Sequence, residues 1–365
     1  MLRVFHRLLQ VTCAALIAAG GAAQTQMLVP RYAHTATPTA DGCVFIAGGL
    51  TRGTALVRNT EICDPAAGTI TPGPPMHKAR AFHTATPLKD GTLLVAGGFV
   101  APYSTSRTAE IYDGHRFVFL GHRMSDRREL HTATRLQDGT VLICGGFHGG
   151  VRSVASADVY DPQKRAFTPT GALNHSRYGH TATLLNDGTV LVAGGMQFPG
   201  EETLSSTEIY RPTEGCFRLN GSMNAQRSRH TATLLQDDRV LITGGYSAAA
   251  EIQLASTELF DPAAGRFVSG PQMAEPRMDH TATRLSDGRV LIAGGFNGIG
   301  TPHTLASCEI FDPATNQFRQ ASPLPHPVHE HQSCPLLTGA LITGGLQIAP
   351  DIHRVIRDAV IRGVD

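Results

Sequence analysis

The tetrapeptide His-Thr-Ala-Thr occurs six times in this 365-residue chain, starting at His34, His83, His131, His180, His230 and His280. A degraded seventh copy, "HQSCPLLTGALITGG", starts at His331. The steps are 49, 48, 49, 50, 50 and 51 residues. Self-similarity at that period restricts the chain to a propeller or a solenoid, in which one supersecondary unit is copied and stacked. It also bears on chemistry. A catalytic site needs one copy of each role, held in one place. A histidine that recurs seven times at matched positions therefore reads as part of the frame.

Each unit holds four hydrophobic pieces. "HTATLL" alternates, and "RVLITGG" or "TVLVAGG" is a β-branched run ending in two glycines. Asp-Gly joins them in most copies (Asp41-Gly42, Asp90-Gly91, Asp138-Gly139, Asp187-Gly188, Asp287-Gly288), and the fifth copy has Asp237-Asp238. That dipeptide marks a tight hairpin, because the turn needs backbone angles that Gly and Asp tolerate. The third piece, such as "STELFDP", ends in Asp-Pro, which stops a strand and opens a turn. The fourth carries one apolar residue at a fixed place: Ile70, Phe117, Phe167, Phe217, Phe267 or Phe318. Four antiparallel strands make a small sheet that cannot bury both faces alone. Stacking the sheets in a ring does so.

Four hydrophobic residues followed by a double glycine, then a Tyr and a Phe at set distances, resemble the kelch repeat over about residues 27–365. The resemblance implies an all-β fold, a β-propeller with one repeat per blade, within the superfamily of the galactose oxidase central domain. Six units are complete. The seventh supplies three strands, the third at Arg357–Gly363, and then the chain stops. "QTQMLVP" stands before the first histidine, where a fourth strand would sit. The expectation is seven four-stranded antiparallel blades, the last closed by pairing of the N- and C-terminal segments; six blades plus a tail is the alternative.

Two other charges recur. Arginine stands three residues before His in six copies (Arg31, Arg80, Arg128, Arg177, Arg227, Arg277), and an acid lies in the third piece of six (Glu61, Glu110, Asp158, Glu208, Glu258, Glu309). Charge buried between sheets must be paired, so each blade is expected to carry its own Arg/His/acid network. Copy seven lacks both Arg and acid, with Val328 in the arginine position. The resemblance implies that the threonines line the central channel and the histidines lie between sheets.

The chain has 31 basic and 30 acidic residues, a net charge of +1. That balance argues against a nucleic-acid binder. "MLRVFHRLL" followed by "LLQVTCAALIAA" and the small residues of "GGAAQTQ" reads as an export signal over residues 1–23, cleaved after Ala23. The apolar run is too short to span a membrane. Residues 24–365 then form a single propeller domain, exported to the periplasm or beyond, with no membrane span and monomeric. Six cysteines remain, without zinc spacing, and read as small apolar thiols; Cys43 and Cys63 are the one plausible disulfide pair.

If repeated residues hold the ring, function belongs to residues that differ between repeats. In kelch proteins the loops after Gly-Gly and the segment before His share one face, around the channel mouth. After Gly-Gly stand Leu50, Phe99, Phe147, Met196, Tyr246, Phe296 and Leu346; just before His stand Tyr32, Phe82, Glu129, Tyr178, Arg229, Asp279 and Glu330, with His329 beside the last. The candidate ligand-binding set is Tyr32, Phe82, Glu129, Tyr178, Arg229, Asp279 and Glu330 with Phe147, Tyr246 and Phe296. Aromatics, one cation and several acids suit a polar ligand: a protein, peptide or glycan. No catalytic residue, metal or cofactor is assigned, and the chain reads as a binding module rather than an enzyme. A sugar mutarotase, using Glu129, Asp279, Glu330, His329 or Arg229 as acid and base, is the alternative. A copper radical oxidase resembling galactose oxidase needs Tyr, Cys and His ligands and a stacking Trp. This chain has no Trp.

Overall fold

The structure, a computed structural model, describes residues 23–101, 104–298, 303–349 and 352–363. The expected signal segment lies outside them except for Ala23. All regular elements among the described residues are strands.

Seven four-stranded antiparallel sheets follow one another along the chain. Blade 1 comprises Thr35–Pro38, Val44–Ala47, Thr60–Asp64 and Thr69–Gly73. Blades 2 to 6 begin at Thr84, Thr132, Thr181, Thr231 and Thr281 and repeat that order. Blade 7 takes Gln332–Leu336, Gly339–Thr343 and Asp358–Arg362, and its fourth strand is Ala23–Gln26 from the other end of the chain. Gln24 pairs with Val360 and Gln26 with Asp358. The closure expected from the sequence is the one observed. Each blade's first strand packs on that of the next, and blade 7's on blade 1's, so the seven form a closed circle.

The second strands explain their own composition. All four residues of Val44–Ala47 are buried, as are those of the corresponding strands around the ring. Alternate side chains leave opposite faces of a strand, and here each face meets a different blade. Val44 and Ile46 pack with Leu341, Ala359 and Ile361 of blade 7. Phe45 and Ala47 pack with Leu93, Val95 and Tyr112 of blade 2. A strand buried on both faces must be apolar throughout, each such side chain contributing about 1.5–3 kcal/mol on burial. The outer strands add a cross-strand aromatic pair in five blades, such as Tyr210–Phe217 and Phe260–Phe267, with ring centroids 4.8 Å apart.

One detail differs from the sequence expectation, the partner of the motif histidines. Thr35 and its counterparts turn toward the next blade, where the Oγ1 meets Nε2 of the next motif histidine at 2.9–3.2 Å (Thr35–His83, Thr84–His131, Thr132–His180, Thr181–His230, Thr231–His280, Thr281–His331). Blade 7 has Gln332 at that place, and its second-strand Thr343 serves His34 instead, at 2.9 Å. The histidines are therefore not members of the arginine–acid pairs. They form a separate belt from blade to blade, all seven buried. Burial and nearby guanidinium groups push His83 and His180 down to about 3, so these rings are neutral. All six described cysteines are free thiols, as the sequence reading favoured, and Cys43 lies outside the Val44–Cys63 register.

The arginine–acid half of the network is present in six blades. Each arginine bonds its acid at 2.5–3.0 Å, from Arg31–Glu61 to Arg277–Glu309, with both side chains buried. The same guanidinium donates to the carbonyl of the first glycine, as Arg227 does to Gly244 at 2.6 Å. The acid accepts backbone N–H groups from the segment arriving from the previous blade, as Glu258 does from Asn224 and Ala225. One salt bridge thus fastens the crossover, the third strand and the Gly-Gly turn together.

Candidate functional site

The double glycine brings the chain to one end of the ring and makes room there. The first glycine has φ between +59° and +67°, and a Cβ on Gly194 would lie 2.7 Å from His230 Cε1 of the next blade. The second donates its N–H to the carbonyl three residues before the next motif histidine, as Gly195 does to Arg227 at 2.9 Å. Only a residue without a side chain satisfies both demands.

Just past this turn, the residue two before each histidine forms a β-bridge with the residue after Gly-Gly: Tyr32 with Leu50, Glu129 with Phe147, Tyr178 with Met196, His329 with Leu346. The residue directly before each histidine behaves differently. Ala33, Phe82, Leu130, Gly179, Arg229, Asp279 and Glu330 all have φ between +50° and +60°. Each donates its N–H to the carbonyl of its counterpart in the preceding blade, at 2.8–3.2 Å, and Ala33 donates to Glu330. Seven backbone hydrogen bonds close a girdle around the channel mouth. Left-handed backbone costs a non-glycine residue about 1–2 kcal/mol, a cost that the girdle imposes at six places.

The candidate set from the sequence therefore mixes two registers. Phe82, Arg229, Asp279 and Glu330 sit on the girdle. Tyr32, Glu129 and Tyr178 sit one residue back, on the bridges. Ala33, Leu130 and Gly179 complete the girdle, and the sequence reading missed them. Gly179, in frame with six residues that have side chains, was the one sequence signal of left-handed backbone.

The mouth divides into two sides. On one, Tyr32, Phe82, Ala33, Leu50 and Ala81 pack as an apolar cluster. On the other, Arg229 lies between Asp279 at 2.9 Å and Glu330 at 3.4 Å. These three come from consecutive blades and are partly buried. The two carboxylates hold the guanidinium firmly charged. Burial, with Asp279 beside it, raises the Glu330 carboxyl to about 7. Glu330 in turn reinforces the upward effect of burial on the Tyr32 phenol. His329 stacks obliquely on Phe296, ring centroids 5.5 Å apart. Phe147 touches Tyr178 at 4.9 Å and Phe198 at 5.5 Å. Burial raises Glu129 to about 7. Of the candidate set, only Tyr246 stands apart from these contacts; it bridges to Ser228.

A family model described as "Kelch motif" matches residues 280–325, the sixth repeat. No curated protein matches the chain. Among solved structures, a fungal alcohol oxidase of the AA5 family, described as having catalytic diversity and determined in complex with copper, superposes with a TM-score of 0.74. It is 15% identical, and the alignment covers 93% of this chain and 75% of that one. At that identity the likeness concerns the fold. Among the described residues, no cysteine lies open at the mouth to take part in a copper site of the Tyr, Cys and His kind. Among the described residues no three His, Cys, Asp or Glu side chains converge to hold a metal. Cys144 and Cys308, at the mouth end of their strands, are both buried in the core between blades. No helix among the described residues is long and apolar enough to cross a membrane.

Proposed function

Because the chain is a kelch-repeat β-propeller, whose copied residues are absorbed in holding the ring, we propose that it is a binding module for a protein, peptide or glycan at the channel mouth. One observation carries this reading: Arg229, Asp279 and Glu330 are three unrepeated charges presented together by a backbone girdle that does repeat. A rigid scaffold with variable side chains at one rim is how loops acquire selectivity. The apolar side and the charged side together offer a ligand both buried area and oriented polar partners.

The test is a peptide and glycan binding screen on the full chain beside a Tyr178→Ala/Arg229→Ala/Asp279→Ala variant. The variant loses the ligands that the parent retains; equal binding by both proteins places the site elsewhere. We further propose that the protein is exported as a monomer. N-terminal sequencing of protein recovered from producing cells should then begin at Gln24.

A second reading, acid–base chemistry on a reducing sugar, is favoured by one observation. Two carboxyls at the mouth, Glu129 and Glu330, titrate near neutrality, where a general acid and base work best. Proton-exchange NMR of anomer interconversion checks it, and a rate equal to the buffer's removes it.

A further inference from the structure

The charges of the mouth are paired on one side and not on the other. Arg229 is shared by Asp279 and Glu330. Glu129 is only 9% exposed, and among the described residues its carboxylate has no hydrogen-bond or ion-pair partner. A buried charge without a partner is costly, and burial alone accounts for the raised titration of this carboxyl. No guanidinium or ammonium group among the described residues offsets it.

Its bridge partner is aromatic. The Glu129 backbone exchanges two hydrogen bonds with Phe147, at 3.0 and 2.7 Å. The Phe147 ring touches Tyr178 and Phe198. Residues at the same register in other blades turn toward the mouth: Tyr178 lies within the field of Arg229, and His329 within that of Asp279 and Arg229. With all carboxyls ionised, the two positions before each motif histidine set one cation, Arg229, against three carboxylates, Glu129, Asp279 and Glu330.

We propose that Glu129, with the Phe147–Tyr178 aromatic pair, forms a subsite for the primary ammonium of a lysine side chain on a peptide or protein ligand. A cation restores the missing partner of the carboxylate, and aromatic faces attract the same charge. A carboxylate on a residue only 9% exposed suits a charge at the tip of a slender alkyl stem, which lysine has. A sugar amine sits directly on a bulky ring and has no such stem. This inference rests on the mouth being the binding site.

The experiment titrates the full chain with N-acetyl-lysine methylamide, with the same compound acetylated at Nε, and with glucosamine, read by NMR shift changes. The lysine probe should bind at least tenfold more tightly than the acetylated one, and Glu129→Gln should abolish the difference. The comparison of probes on the unaltered chain does not depend on the variant folding. Equal binding of the two lysine probes, binding of neither, tighter binding of glucosamine, or discrimination that survives Glu129→Gln would each overturn the inference. If the Tyr178/Arg229/Asp279 variant still loses its ligands in the broader screen while lysine is not preferred, this inference fails and the mouth reading stands. If that variant binds as the parent does, the mouth reading fails.

Discussion

Glu129 shows what a single side chain contributes that its repeat does not dictate. Its carboxyl is raised to about 7 by burial, from an ordinary value near 4.5. The folded state therefore holds the proton more tightly than the unfolded chain between those values. The stability associated with the neutral form is complete below pH 4.5 and is lost as pH rises toward 7. Glu129→Gln, which stays neutral, should melt higher than the parent at pH 8, and the gain should vanish at pH 4. Calorimetric melts at the two pH values check this; an equal shift at both would mean that ionisation is not the cause. The sequence allowed Glu129 to be picked out as unrepeated, yet it did not separate Glu129 from Arg229 or Asp279. The first lies on a β-bridge and the others on left-handed backbone one residue later. Alanine, phenylalanine, leucine and three charged residues all occupy that strained position, so residue type alone conceals it. The girdle compels the conformation through long-range hydrogen bonds.

At the scale of one blade, the recurring Arg–acid pair and the Gly-Gly turn hold the crossover in place. Arg227→Met should cost about 3–5 kcal/mol, because it strands the buried Glu258 carboxylate. Adding Glu258→Gln should recover part of that loss, and urea unfolding of the three proteins measures it. The two glycine environments predict a second contrast. Gly68 has φ +64° with open space around its Cβ position, whereas Gly194 has φ +62° and meets His230 at 2.7 Å. Gly68→Ala should therefore cost about 1–2 kcal/mol for backbone conformation alone. Gly194→Ala should cost clearly more, and equal losses would mean that the inter-blade contact yields freely. Strands, turns and the pairing of arginine with acid were all legible in the sequence, because each repeats and each involves local spacing. The histidine's partner was not. It is a threonine hydroxyl about 48 residues away on the neighbouring blade, and no spacing within one repeat indicates it.

Across the whole molecule, three belts run from blade to blade: the apolar faces of the second strands, the histidine–threonine contacts and the backbone girdle. Each returns to its start through blade 7, where Met27 is buried beside Leu341 and Ile361. The count of seven and the closing strand could be read from the chain's two incomplete ends, since the missing fourth strand and the surplus N-terminal segment complement each other. The girdle could not be read, because it consists of backbone groups that any sequence possesses. It also makes the mouth a fixed frame for side chains that vary. The measurement that tests this most directly is native-state hydrogen exchange, resolved by NMR, of the seven girdle amides: Ala33, Phe82, Leu130, Gly179, Arg229, Asp279 and Glu330. A closed ring predicts that all seven are protected together, with Ala33, which crosses the seam from blade 1 to blade 7, as slow as the rest. Exchange of Ala33 at the rate of an unstructured amide, while the other six stay protected, would show an open seam and contradict the account.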